Sequence, residues 1–226
     1  VNALNSSLIE ASKRSFFDIC ELLISKGAQN LDQALVWAVK SIVEGKLHNS
    51  EDETYLNILK LLLNHGATNY RDAIIESVKN SWNRNIEPVI STILDYDPDI
   101  DKTFLDIVRE NNGRAIQYMI KDTRVNPSIN NNEPLVIAIK NRNYNICKLL
   151  LSDPRTKIEN NMILDVSINE SFVEMVELLL QDPRIDPSRN NNAALISSIS
   201  TSDIKITNLL LQDPRVDPSI NNNAAF

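Results

Sequence analysis

Glu133 to Arg155 reads EPLVIAIKNRNYNICKLLLSDPR, and this stretch decides the fold. Leu135, Ala138 and Ile139 stand at i, i+3 and i+4, which is one face of a helix. A polar break follows from Asn141 to Asn145. Ile146, Cys147, Leu149, Leu150 and Leu151 then form the apolar side of a second helix. That helix must stop before Asp153-Pro154, because a proline ring disfavours the α region for the residue ahead of it. Two short helices joined by a tight break cannot bury their apolar faces alone. Stacking on a like neighbour solves that.

Like neighbours are present. LLLSDPR from Leu149 returns as LLLQDPR from Leu178 and from Leu209, at spacings of 29 and 31 residues. An asparagine-rich marker stands before each first helix: INNNEPL from Ile129, IENNMIL from Ile158, RNNNAAL from Arg189 and INNNAAF from Ile220. From the marker's last apolar residue to the third leucine the distance is constant. Leu135 to Leu151, Leu164 to Leu180 and Leu195 to Leu211 are each 16 residues. Leu8 to Ile24 and Phe104 to Ile120 fit the same frame. Leu35 to Leu63 is longer by 12 residues around the polar insert Glu44 to Glu53, and Ile74 to Leu94 is longer by 4 around Ser81 to Asn85. The frame predicts seven units, at 3–28, 31–67, 71–98, 103–124, 133–155, 162–184 and 193–215, with the start of an eighth at 224. Strand alternation is weak throughout. The expectation is therefore an all-α chain, stacked as one array over 1–226 with a continuous core. Val1 is not an initiator methionine and the chain stops where a further first helix would begin, so it reads as part of a longer protein.

EPLVIAIKNRNYNICKLLL (Glu133 to Leu151) resembles the ankyrin repeat, with its TPLH-x-AA start, its Gly-His break and its EIVKLLL second helix. ISKGA (Ile24 to Ala28) and LLLNHGA (Leu61 to Ala67) resemble the end of an ankyrin second helix. The likeness covers essentially the whole chain and implies an α-solenoid of stacked helix pairs. The departures lie in the connectors. An ankyrin repeat has about 33 residues, and the shortfall falls where the family has its β-hairpin finger. DPRIDPSRNNN carries two prolines, which cannot donate ladder hydrogen bonds, so irregular or short connectors are expected. GAQNLDQAL and GATNYRDAI are shorter still and read as plain helix-to-helix turns. Only Pro134 keeps the family's proline, and no unit keeps its histidine. The connector style is similar to ankyrin proteins of amoebae and of the giant DNA viruses that infect them.

The chain has 4 glycines and 29 asparagines. Asn132, Asn161, Asn192 and Asn223 stand just ahead of a first helix, where asparagine is a favoured N-cap. Asn131, Asn160, Asn191 and Asn222 occupy the family's connector glycine, and asparagine tolerates the left-handed conformation better than most residues. A hydrophobic fraction of 42% supplies a core and excludes a wholly disordered chain. No run of about 18 apolar residues is present, so no transmembrane helix is expected. A net charge of −7 counts against nucleic-acid binding. The two cysteines are far apart, which argues against a disulfide framework and for a reducing, intracellular setting.

Little in the chain reads as chemistry. Cys20 and Cys147 share a slot that other units fill with Leu59, Ile90, Ile116, Val176 and Thr207, so the slot belongs to the core. The histidines are His48, in the polar insert, and His65, at the end of a second helix where an imidazole satisfies carbonyls. No His-x-x-x-His, Cys/His cluster or glycine-rich phosphate loop occurs, so no metal, cofactor, catalytic residue or small-molecule substrate is expected. The repeated Asp-Pro-Arg (Asp182, Arg184, Asp213, Arg215) reads as a helix stop with ion pairs between neighbours.

One stripe points outward. The first position after the core pair of the first helix holds Lys13, Lys40, Lys79, Arg109 and Lys140, then Asn169 and Ser200. Cations there complement the C-terminal end of the helix dipole. They also form a ladder that would face an acidic partner, on the side that is the binding groove in ankyrin proteins. Trp37 and Trp82 are candidate anchors, because tryptophan is enriched at interface hot spots. Together with the resemblance, these residues imply a protein–protein interaction module, such as the recognition arm of a host-directed adaptor. Two other readings stay open: an arm that positions a catalytic domain outside this sequence, and a structural spacer.

Overall fold

The computed structural model describes residues 2–45, 55–79, 86–158 and 160–219. Among the described residues the regular structure is entirely helical, with fourteen α-helices and no strand. The chain gathers into two compact units, Val1–Val125 and Asn126–Phe226. The first holds α1 (Asn2–Lys13), α2 (Phe17–Ser25), α3 (Leu31–Val43), α4 (Tyr55–Asn64), α5 (Tyr70–Lys79), α6 (Glu87–Leu94), α7 (Ile100–Arg109) and α8 (Gly113–Met119). The second holds α9 (Ile129–Lys140), α10 (Tyr144–Ser152), α11 (Met162–Asn169), α12 (Val173–Leu180), α13 (Arg189–Ser200) and α14 (Ile204–Gln212).

Each unit is two layers deep. In the first, α1, α3, α5 and α7 pack in sequence as one layer, and α2, α4, α6 and α8 as the other. In the second, α9, α11 and α13 form one layer and α10, α12 and α14 the other. The aliphatic that opens the 16-residue frame sits at the centre of every pair. Leu8, Leu35, Ile74, Phe104, Leu135, Leu164 and Leu195 are all sealed from solvent. Fully burying one such side chain contributes about 1.5–3 kcal/mol. Cys20 and Cys147 are each buried in the core of their own unit, as the aliphatic company of their slot requires.

Among the described residues, the first helix of most pairs ends in a left-handed stop. Ser15, Asn111, Arg142, Ser171 and Ser202 follow first helices with φ between 49° and 59°. The next N–H then bonds the carbonyl five residues back, as in Phe16 to Ala11 at 3.0 Å and Phe172 to Ser167 at 2.9 Å. This is the Schellman closure, which satisfies carbonyls left over at a helix end. Gly27 and Gly66 close α2 and α4 in the same way, at φ 92° and 100°. The chain thus uses glycine at some stops and serine, asparagine or arginine at others, where a left-handed backbone costs about 1–2 kcal/mol.

The connectors differ from expectation in an informative way. Asn131 and Asn191 are left-handed, and so are both their neighbours. Asn130 to Asn132 and Asn190 to Asn192 each make a short left-handed turn ahead of the right-handed helix. Asn160 Oδ1 accepts the Met162 N–H at 3.0 Å. Asn222 and Asn223 lie outside the described residues. Asn161 keeps the N-cap position of α11 but makes no side-chain capping bond, and the N-cap expectation is corrected for Asn132 and Asn192. A capping residue has β-region backbone, whereas Asn132 sits at φ 67° and Asn161 at φ −83°, ψ 7°. Their amides face the next connector instead. Asn132 Nδ2 donates to Lys157 O at 2.7 Å and Asn161 Nδ2 to Asp186 O at 2.6 Å; Asn192 bonds Asp217 O likewise.

The Asp-Pro-Arg motif is corrected too. Its ion pair is internal: Arg184 to Asp182 and Arg215 to Asp213, both at 2.6 Å. The link between neighbours is the rest of the guanidinium. Arg184 donates to Thr156 O at 2.9 Å and Leu151 O at 3.0 Å, and Arg215 to Ile185 O at 2.8 Å and Leu180 O at 2.7 Å. Leu151 and Leu180 lie in the last turn of the preceding second helices, whose last carbonyls have no partner within their own helix. The hydrogen bond from the arginine holds each carboxyl of Asp153, Asp182 and Asp213 below the usual aspartate range.

Candidate functional site

The cations of the predicted ladder end their helices as expected: Lys13 in α1, Lys40 in α3, Lys79 in α5, Arg109 in α7 and Lys140 in α9. Four of them pair with a carboxylate of the same segment. Lys13 meets Glu10 at 3.6 Å, Lys40 meets Glu44 at 3.8 Å, Lys79 meets Glu76 at 2.6 Å and Arg109 meets Asp106 at 2.9 Å. The first two are long contacts. Glu10 is already engaged by Arg14 at 2.8 Å, whose hydrogen bond lowers the Glu10 pKa. Lys140 is exposed and has no partner among the described residues. Such exposed pairs contribute about 0–1 kcal/mol each, so exchanging one for a partner's carboxylate costs little.

Lys13 and Lys40 are distinguished by what lies between them. The ammonium of Lys13 is 4.1 Å from the centroid of the Trp37 ring, and that of Lys40 is 4.7 Å. Trp37 belongs to α3 and is half-buried, and α1 packs directly on α3. Each cation–π contact is worth about 0.5–1 kcal/mol at an exposed site. Together they hold a ring that remains partly exposed. Trp37 also lines an open groove of about 650 Å³ with Asp32, Val36, Lys40, Asp72 and Glu76. Hydrogen bonds brace the groove walls. Asp32 Oδ1 accepts the N–H groups of Thr68 and Asn69, the latter at 3.0 Å. Burial pushes the Asp72 carboxyl up, but hydrogen bonds from Asn69 and Arg71 outweigh it and hold its pKa below the usual range. Trp82, the other predicted anchor, lies outside the described residues, as does His48.

The sequence reading missed the asparagine cleft. In the second unit Asn126, Ser128, Asn131, Asn132, Lys157 and Asn160 line a polar recess of about 200 Å³. The triple asparagine was the available signal, but a run of asparagines does not say which way its amides point. On the second-helix layer, Leu151, Leu178 and Pro183 line an apolar recess of about 440 Å³.

The nucleophile candidates are quiet. Burial pushes the Cys147 thiol up to about 12 and raises Cys20 as well, so both stay protonated at neutral pH. His65 Nδ1 lies 2.8 Å from Leu61 O, donating to a carbonyl of the last turn of α4. Among the described residues no group of three or more His, Cys, Asp or Glu side chains is placed to hold a metal ion. No described helix is long and apolar enough to cross a membrane. No family model and no curated protein matches the chain.

Proposed function

We propose that the chain is a divergent ankyrin-type repeat module that binds a partner protein along its row of first helices. The observation that carries the proposal is Trp37, half-buried, clamped between Lys13 and Lys40 at the mouth of an open groove. A rigid aromatic edge beside weakly paired cations is the composition of an interface anchor, because little side-chain entropy is lost on contact. The ankyrin reading is supported by the recurring frame, by the two-layer packing within each unit and by the Gly27 and Gly66 helix stops. The partner surface that fits is acidic toward Lys13 and Lys40 and apolar toward Trp37, and keeps its carboxylates off the groove lining, where Asp32, Asp72 and Glu76 would repel them. Its carboxylates meet Lys13 and Lys40, and the same polarity extends over Lys79 and Arg109 of that unit.

The test compares capture of interacting proteins by the parent chain, by Trp37→Ala and by Lys13→Glu/Lys40→Glu. A partner retained by the parent should lose about tenfold or more in affinity to Trp37→Ala, the cost of a hot-spot aromatic. It should also be rejected by the charge-reversed chain. A partner held equally by all three would overturn the proposal.

A further inference from the structure

The asparagine cleft of the second unit departs from the later joints in one repeated slot. The bridging asparagines mark that slot, since each donates to the carbonyl 25 residues on: Asn132 to Lys157, Asn161 to Asp186 and Asn192 to Asp217. In the two later connectors the slot is an aspartate, whose carboxylate accepts from Ser188 or Ser219 two places on. In the connector ahead of α11 it is Lys157. In the connector ahead of α9 it is Asn126, two places before Ser128. Asn126 and Lys157 both line the cleft, and among the described residues no carboxylate lines it.

The lining has its acceptors filled and its donors open. Asn126 Oδ1 accepts the Ser128 N–H at 3.0 Å, Asn132 Oδ1 accepts the Ser128 hydroxyl at 2.8 Å and Asn160 Oδ1 accepts the Met162 N–H at 3.0 Å. The Ser128 oxygen in turn accepts the Lys157 N–H at 2.7 Å. Among the described residues the Lys157 ammonium and the Asn131 carboxamide have no partner, and Asn160 Nδ2 has no acceptor. The eight-residue helix α11 begins at the same place. Its first residue, Met162, lines the cleft, and the side chain of its N-cap makes no capping bond. The positive end of that helix dipole adds to the ammonium.

We propose that this cleft binds a phosphate group, as free phosphate or as a small phosphomonoester. Open donors around one cation, with no carboxylate beside them, select an anion. Three separate donor side chains suit a group with three acceptor oxygens better than a carboxylate with two. The cleft of about 200 Å³ equals the liquid share of roughly six or seven waters, which admits a phosphate with part of its hydration shell. None of these residues belongs to the Trp37 groove, so the site stands or falls apart from the partner-protein reading.

Titration of the isotope-labelled 226-residue chain, followed by amide NMR at constant ionic strength, tests this. Inorganic phosphate should give saturable shifts centred on Asn131, Lys157, Asn160 and Met162, with a dissociation constant on the order of millimolar. Acetate should bind at least about fivefold more weakly. Lys157→Asp supplies the side chain of the later connectors and should weaken phosphate about tenfold or more. Asn131→Gly suits the left-handed backbone, removes the carboxamide and should weaken phosphate about threefold. A spectrum otherwise like the parent's shows that each variant folds. Tighter binding of glycerol 3-phosphate than of phosphate assigns the site to a monoester, and the reverse order assigns it to the free ion. Shifts that never saturate or that centre on other residues overturn the proposal. So does an equal response to acetate, or a Lys157→Asp chain that titrates like the parent.

Discussion

The two units build the same joint with opposite chemistry. In both, residues three places ahead of a buried first-helix apolar residue reach the next connector, although Arg71 in that slot pairs with Asp72 and Glu110 instead. In the first unit the bridge is an acceptor: Asn5 Oδ1 takes the Gln29 N–H at 2.8 Å, and Asp32 Oδ1 takes the N–H groups of Thr68 and Asn69. In the second it is a donor: Asn132, Asn161 and Asn192 give their amide N–H to the carbonyls of Lys157, Asp186 and Asp217. The difference follows from the connectors. A short turn after a glycine stop presents N–H groups, while the Asp-Pro-Arg-x-Asp-Pro-Ser connector presents carbonyls. What the fold keeps is the position of a bridging side chain. Its polarity follows the backbone it meets, and asparagine recurs because its carboxamide serves in either role.

The largest effect should come from breaking that polarity match. Asn161→Asp puts a carboxylate against the Asp186 carbonyl at a site only 7% exposed. It should cost about 3 kcal/mol by urea unfolding, since a buried charge is left facing an acceptor. Asp32→Asn in the first unit keeps an accepting oxygen and should cost less than about 1 kcal/mol. Equal losses at the two sites would remove the distinction between the units.

Next come the arginine staples of the second unit. Arg184→Ala removes the bonds to Thr156 O and Leu151 O and strips Asp182 of its partner. About 2 kcal/mol should be lost, and Arg184→Lys should rescue less than half of it, because a single ammonium cannot match the planar fork. The pH dependence has a definite sign. Asp153, Asp182 and Asp213 have folded pKa values below the ordinary one, with the arginine bond as first cause. Their contribution is complete above the unfolded pKa of about 3.9 and is lost as pH falls through the lower folded values. Thermal melts below about pH 4 should therefore fall less steeply for Arg184→Ala/Arg215→Ala than for the parent.

A smaller effect of the opposite sign is expected at the helix stops. Ser171→Gly and Ser202→Gly relieve left-handed serines and should each stabilise by about 0.5–1 kcal/mol after the entropy of glycine is subtracted. Gly66→Ala in the first unit should destabilise by about 1 kcal/mol, because no side chain favours φ 100°. The smallest change belongs to the ladder: Lys79→Gln breaks an exposed pair with Glu76 and should alter stability by less than about 0.5 kcal/mol.

Much of this is legible in the sequence for a physical reason. The spacing of Leu135, Ala138, Ile139 and the leucine triplet reports which side of a helix is dry, and every frame-opening aliphatic is buried. The aliphatic company of Cys20 and Cys147 likewise announces their burial. Polar residues are harder. Asn132 and Asn161 are recognisable as important, but cap and bridge differ only in the backbone dihedrals on which the side chain stands. The reach of Arg184 depends on where the preceding helix ends in space. Ser15 and Arg142 give no signal as left-handed stops, since glycine is the usual residue at such a stop. Trp37 stands out as an anchor by residue type, but its clamp needs α1 against α3, a contact between residues far apart in sequence.

The central claim is that each helix pair is an interchangeable layer linked only to its neighbours. Deleting residues 178–208 removes one 31-residue period and joins Glu177 to Leu209, restoring the LLLQDPR sequence in frame. Thermal unfolding of the shortened chain, followed by circular dichroism, tests the claim directly. A stack of layers keeps its helix content per residue and a cooperative transition, at a lower midpoint because one layer is gone. A shortened chain that lost its cooperative transition would show that the removed pair was part of an indivisible core, and would contradict the layered fold.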